Sequence, residues 1–171
     1  DGHPDAPDNA AYYSWHQNTE EYPSLTFYHK TGAELRDVTY GFSGEEIYVD
    51  KFYDAKGNLS GESLPYKKSD GIGGVIYYSY DELNRLVRTD YPDNSSVAVS
   101  YNGNKTTTTF TGKNGGTQSS SKTYHGNGWL KKSVDTGGNA VCNIYNADGT
   151  LHSTYIEGFN DTVSFSYNSA G

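Results

Sequence analysis

The chain contains no methionine, one cysteine and five prolines in 171 residues, and it is poor in aliphatic side chains. Leu, Ile, Val and Phe together make 28 residues, about 16%, under the roughly 20% line below which a charged chain is expected to stay disordered. Disorder is therefore the first reading to test. Cys142 stands alone, which excludes an intrachain disulfide and a cysteine-based zinc site; on the run Val141 to Tyr145 it reads as a small buried residue. No apolar run approaches the ~18 residues that span a bilayer, and no signal-peptide core is present. Net charge is −8, and no basic run is longer than Lys67-Lys68 or Lys131-Lys132, so a nucleic-acid partner would bind against an unfavourable field. Neither nucleic acid nor membrane insertion is expected.

Aromatics take the place of the missing aliphatics. There are 17 Tyr and 2 Trp, and each large ring buries roughly 150–250 Å² when covered. The tyrosines are spaced in register. A Tyr, a polar residue, two variable residues and then Gly or Asn recur from Tyr28 (to Gly32), Tyr53 (Asp54, Gly57), Tyr80 (Asp81, Asn84), Tyr124 (Gly128), Tyr145 (Gly149) and Tyr167, with a shortened copy at Tyr101-Asn102-Gly103. Successive start tyrosines are 21 to 27 residues apart, a period that marks a repeat architecture.

At these residues the sequence resembles the YD-repeat, or RHS-repeat, family, and Phe52 to Pro65 with Tyr80 to Gly103 is most similar to the repeat cassette of Tc-type insecticidal toxin shells and related bacterial RHS proteins. The resemblance covers nearly the whole chain after about residue 20 and implies long hairpins that spiral into a hollow β-shell, in several members around the protein's own C-terminal toxin. It implies no catalytic group within the repeats. The pattern departs from the family where Asn84 replaces Gly, and where His29, His125, Asn146 and Asn168 replace Asp.

Alternation of apolar and polar residues predicts strands over residues 12–15, 25–28, 34–40, 46–53, 74–80, 86–91, 96–101, 105–111, 119–124, 130–135, 140–145, 151–157 and 162–167. The fold class expected is all-β: antiparallel hairpins stacked into a curved sheet or partial β-shell or solenoid. Residues 1–20 read as an irregular lead-in and first strand, and 21–171 as the repeats. Gly112 to Ser121 and Ser69 to Gly74 read as flexible loops. A type I turn closed by a left-handed Gly would set Tyr145 opposite Thr150, Tyr124 opposite Trp129 and Tyr80 opposite Arg85. The sequence starts at Asp1 without Met and stops in mid-repeat at Ala170-Gly171, so a segment of a larger protein is expected.

No reactive constellation appears. The five histidines lack zinc spacing, and His29 and His125 read as structural replacements of the turn Asp. His3 with Asp1, Asp5 and Asp8 forms an acidic cluster of the kind that any polar terminus produces. Asn146 to Gly149 resembles part of a calcium loop, but Ile144 stands where a carboxylate ligand belongs. Adjacent acids such as Glu45-Glu46 or Glu20-Glu21 point to opposite faces of a strand. The expected function is a non-enzymatic structural segment of a secreted or cell-surface bacterial protein, without catalytic residue, metal or cofactor. Its expected partners are the remaining repeats and the C-terminal domain of its own full-length chain, with strand-edge self-association. The alternative is a carbohydrate-binding module whose exposed rings, Trp15 and Trp129 foremost, stack on glycans.

Overall fold

The computed structural model describes residues 3–17 and 23–168. Asp1, the Asn18 to Glu21 connection with its Glu20-Glu21 pair, and the last residues of the Tyr167 copy lie outside them. The chain divides into two compact units, residues 1–93 and 94–171. The described residues contain strands and turns and no helix, as expected of an all-β chain.

Unit 1 holds β1 (Ala10–His16), β2 (Ser24–His29), β3 (Glu34–Tyr40), β4 (Glu46–Tyr53), β5 (Leu59–Ser63), β6 (Tyr66–Lys67), β7 (Val75–Tyr80) and β8 (Leu86–Asp90). They pair antiparallel in the order β1-β2-β3-β4-β5-β7-β8, with β6 added beside β4. Unit 2 holds β9 (Ser96–Asn102), β10 (Lys105–Thr111), β11 (Thr117–Tyr124), β12 (Leu130–Val134), β13 (Ala140–Tyr145), β14 (Leu151–Ile156) and β15 (Thr162–Ser164), paired antiparallel in that order within the unit. Each unit is an open antiparallel meander of stacked hairpins. Sequential pairing follows from loops too short for any crossover.

Strands occur at all the expected positions, and two more were not anticipated, β5 and β6. Leu59-Ser60-Gly61-Glu62-Ser63 has a glycine at its centre, a residue that weakens a strand, yet here the glycine serves packing. A Cβ there would come within 3.2 Å of Val75 Cγ1 and 3.3 Å of Phe52 Cδ2. The loop expected over Gly112 to Ser121 is also shorter than the sequence suggests. Strand β11 already begins at Thr117, paired with Thr111, because a run of Thr and Ser fits a pleated surface as well as an apolar one.

Unit 1 has a small core of Leu25, Phe27, Val38 and Tyr48, against which Ala6, Ala10 and Tyr66 pack. The irregular stretch before β1 is fastened to that core. Asp5 is only 4% exposed; its carboxylate accepts the Tyr48 hydroxyl at 2.5 Å and the Lys68 ammonium, and its carbonyl accepts Arg36 Nη1 at 3.0 Å. In unit 2 the buried apolar residues are Ala140 and Cys142, so the lone cysteine is a small buried side chain as expected.

Candidate functional site

The recurring feature of the chain is its turn. Among the described residues, eight turns share one geometry, beginning at His29, Gly41, Asp54, Asp81, Gly112, His125, Asp135 and Asn146. In each, the first residue donates its N–H to the carbonyl four residues on at 2.8–3.0 Å and accepts from the N–H three residues on at 2.8–3.1 Å. The fourth residue always has positive φ: Gly32, Gly44, Gly57, Asn84, Gly115, Gly128, Gly138 or Gly149. Asn is the residue that best tolerates this region after Gly, which explains Asn84. Two of the eight, at Gly112 and Asp135, follow Thr111 and Val134 in place of a tyrosine, and the one at Gly41 follows Tyr40 but has Gly where the other tyrosine-led turns have a polar residue.

The turn aspartates have a definite task. Oδ1 of Asp54 accepts from the N–H groups of Lys56 and Asn58 at 2.8 and 2.9 Å, Oδ1 of Asp81 from Leu83 and Arg85 at 2.9 Å each, and Oδ1 of Asp135 from Gly137 and Asn139 at 2.9 and 2.8 Å. This Asx arrangement holds the carboxyls below their ordinary range: side-chain and backbone donation from Asn58 lowers Asp54, and backbone donation from Arg85 lowers Asp81. His29 imitates it, accepting the Thr31 N–H on Nδ1 at 3.3 Å.

The register differs from the expected one by a residue. Tyr28 faces Glu34, Tyr53 faces Leu59, Tyr80 faces Leu86, Tyr124 faces Leu130 and Tyr145 faces Leu151. The residue after each tyrosine closes the turn, so the tyrosine pairs one step further out. Beyond it the return strand carries one unpaired residue, in turn Leu35, Ser60, Val87, Lys131 and His152, a β-bulge. Arg85 is accordingly not set opposite Tyr80; its guanidinium meets Asp81 Oδ2 through Nε at 2.8 Å and Nη2 at 2.7 Å. Trp129 is not opposite Tyr124, and its ring lies 5.2 Å from that of Tyr145 in the next hairpin.

The tyrosine hydroxyls reach backward along the chain. Tyr80 donates to the Leu59 carbonyl at 2.9 Å, Tyr145 to Leu130 at 2.9 Å and Tyr167 to Leu151 at 2.8 Å. Each acceptor is the leucine that faces the tyrosine of the preceding repeat, at the bulge. A carbonyl freed by the bulge thus finds its donor in the following hairpin, and consecutive repeats are tied at one equivalent point. Tyr28 instead stacks on Tyr12 at 5.1 Å and its oxygen accepts Ser14 Oγ at 3.4 Å. Tyr53 is half-buried, its phenol pushed up by that burial. Tyr101 lies on β9 opposite Thr106, before a two-residue loop in which Gly103 has φ 55°. Trp15 is 57% exposed on the outer strand β1, whereas Trp129 is half-buried.

Sequence reasoning missed a charged network in unit 1. Arg36 grips Asp50 through Nε at 2.5 Å and Nη2 at 2.8 Å, and its guanidinium lies 4.7 Å from the Tyr48 ring centre. Asp50 also accepts the Tyr66 hydroxyl at 2.7 Å, and Ser63 Oγ accepts the Asp50 N–H at 2.8 Å. The β3–β4 register sets Arg36 directly opposite Asp50. Burial and the bond to Asp50 push the Tyr66 phenol up to about 12; burial and the bond to Asp5 raise Tyr48 as well. Desolvation would lower Lys51, but its bonds to Glu34 and Asp37 outweigh that and raise it. Phenols and an ammonium with raised values stabilise the fold fully below the unfolded value, 10.0 for tyrosine, and lose that contribution as pH rises through the folded value. Stability is therefore expected to be level up to about pH 10 and to fall between about pH 10 and 12, in step with tyrosinate absorbance. A decline that begins near pH 8 would contradict this network.

Among the described residues, no group of three His, Cys, Asp or Glu is placed to hold a metal. No family model matches the sequence, and no curated protein matches it. Solved structures do. A chain of the Photorhabdus luminescens Tc holotoxin pore with a TccC3 mutation aligns over 87% of this chain and 12% of its own, at 11% identity and a TM-score of 0.32, too low to argue a shared fold. A chain of the TcdB2-TccC3-Cdc42 complex aligns over 92% of this chain at 14% identity with a TM-score of 0.73, and this chain spans 9% of its length. The stacked hairpins therefore have the fold of a stretch of that much longer toxin-complex chain.

Proposed function

We propose that this chain is a non-enzymatic wall segment of a larger RHS/YD-repeat protein, secreted or displayed at a bacterial surface, in which residues 21–171 build part of a β-shell around the rest of its own chain. The observation that carries this reading is the link from the Tyr80, Tyr145 and Tyr167 hydroxyls to the bulge carbonyl one repeat back. It is a device for stacking hairpins indefinitely and does nothing for a reaction. The toxin-complex fold supports the same reading. The partners are the neighbouring repeats and the C-terminal domain of the full-length protein.

A wall segment has strand edges that neighbouring repeats would cover, and exposed edges template pairing. Strand β1 is such an edge: seven residues, Ala10 to His16, with no Lys, Arg, Asp, Glu or Pro and with Tyr12, Tyr13 and Trp15 exposed. The isolated chain is expected to self-associate through it. Analytical ultracentrifugation over a concentration series should show dimers that Tyr13→Lys or Trp15→Lys abolishes; a strictly monomeric species at the highest concentration contradicts the reading.

A further inference from the structure

Oxidants find few of their usual targets in this chain. It contains no methionine, and its one cysteine, Cys142, is only 8% exposed, so the two side chains that ordinarily take up oxidants first are missing or shielded. Oxidation therefore falls on the aromatic rings. We propose that Tyr12 and Tyr28 form an oxidative cross-link site, joined ring to ring as dityrosine by hydrogen peroxide acting through a one-electron oxidant of the haem-peroxidase class.

The two residues stand directly opposite each other on β1 and β2, where cross-strand Cβ atoms are about 4.5–5.5 Å apart. Their rings stack with centroids 5.1 Å apart and planes 13° from parallel, so the carbons of one ring lie over those of the other. Tyr12 is 52% exposed and open to an oxidant. Tyr28 leads the first of the tyrosine-led turns; where Tyr80, Tyr145 and Tyr167 donate to a bulge carbonyl, its oxygen accepts Ser14 Oγ at 3.4 Å beside the stacked ring. Other rings are placed differently. Tyr13 faces Phe27 and Trp15 faces Leu25, and Tyr48 meets Tyr66 edge-on at 81° with its own ring buried.

The step balances in electrons and atoms. Each phenol gives one electron to the oxidant and its proton to water. A carbon–carbon bond then forms between positions ortho to the two oxygens, and the hydrogen on each joined carbon moves to its phenol oxygen, which restores both aromatic rings. The peroxide, having taken up two electrons and two protons, leaves as two waters. The product fastens the edge strand β1 to its neighbour across residues 13–27, a covalent tie that constrains the chain as a disulfide does.

The test treats the whole chain, at the lowest concentration of the sedimentation series, with a haem peroxidase and limiting hydrogen peroxide. The monomer band on a denaturing gel should acquire dityrosine fluorescence and lose the mass of two hydrogens, and peptide mapping should recover Tyr12 and Tyr28 in one linked fragment. Tyr12→Phe keeps a ring in the stack but has no phenol to oxidise, and should abolish the monomer signal. Tyr13→Phe, at a position equally exposed at 51%, should leave it unchanged. No dityrosine in the monomer, a signal that survives Tyr12→Phe, one that Tyr13→Phe removes, or a linked fragment without Tyr28 overturns the proposal. None of these outcomes bears on the scaffold reading, which sedimentation of the untreated chain tests separately.

Discussion

Replacing Arg36 by alanine is expected to lower the stability of unit 1 by about 3–5 kcal/mol, the usual cost of removing one partner from a buried ion pair. The side chains of Arg36 and Asp50 are 17% and 9% exposed, so solvent cannot take over the role of the guanidinium. What remains is a carboxylate held by the Tyr66 hydroxyl alone, together with an Asp5 carbonyl and a Tyr48 ring face that have lost the cation they met. The cause of the loss is the stranded charge more than the attraction itself. Hence Arg36→Ala in an Asp50→Asn background is expected to cost much less than in the native background, as networks of this kind are not additive. Urea denaturation of the four proteins of that cycle measures the coupling. Lys132→Ala, which breaks a pair whose Lys132 and Glu157 side chains are 32% and 58% exposed, serves as the comparison and is expected to have little effect.

The second large effect separates two glycines that look alike in sequence. Gly128 and Gly149 hold the same turn position, with φ 88° and 91°. A Cβ at Gly128 meets nothing within 4 Å, so Gly128→Ala is expected to cost only the left-handed backbone penalty, about 1–2 kcal/mol. At Gly149 the added carbon falls 2.6 Å from Trp129 Cζ2 and 3.2 Å from Cη2, so overpacking adds about 1–3 kcal/mol. The indole cannot swing aside freely, because Tyr145 packs against it. Gly149→Ala should therefore be the more damaging of the two by at least the overpacking amount, and Trp129→Phe should narrow the gap. Thermal denaturation of the three variants decides it.

How much of this could be read from the sequence depends on where each feature leaves a mark. A left-handed turn position needs Gly or Asn whatever surrounds it, so Gly32, Gly57, Gly128 and Gly149 were visible as turns. The turns at Gly112 and Asp135 have the same geometry but lack the leading tyrosine, and the one at Gly41 follows Tyr40 but has Gly where the repeat carries a polar residue. The bulge was not visible at all: Leu35, Ser60, Val87, Lys131 and His152 have no chemistry in common, since the bulge is imposed by the turn and needs only an unpaired residue. That is why Tyr145 was expected opposite Thr150 and stands opposite Leu151. Strand β5 was hidden by Gly61, whose use is close packing. The Arg36 network was hidden differently. Its members are far apart in the chain and meet only once the β3–β4 register is known. Asp5 reads as part of a polar lead-in and is one of the more deeply buried acids.

The tie between consecutive repeats is most directly measured by removing single oxygen atoms. Tyr80→Phe deletes the hydroxyl that the Leu59 carbonyl accepts and is expected to cost about 1 kcal/mol, the net worth of a neutral hydrogen bond. Tyr145→Phe should cost less, because the Leu130 carbonyl also accepts Asn143 Nδ2 at 3.1 Å. Tyr77→Phe, on a ring 58% exposed, should cost nothing measurable. Loss of stability in the order Tyr80, Tyr145, Tyr77, read from urea midpoints at unchanged slope, is the result predicted. Three equal values near zero would contradict the account, because the repeats would then be held together by strand pairing alone.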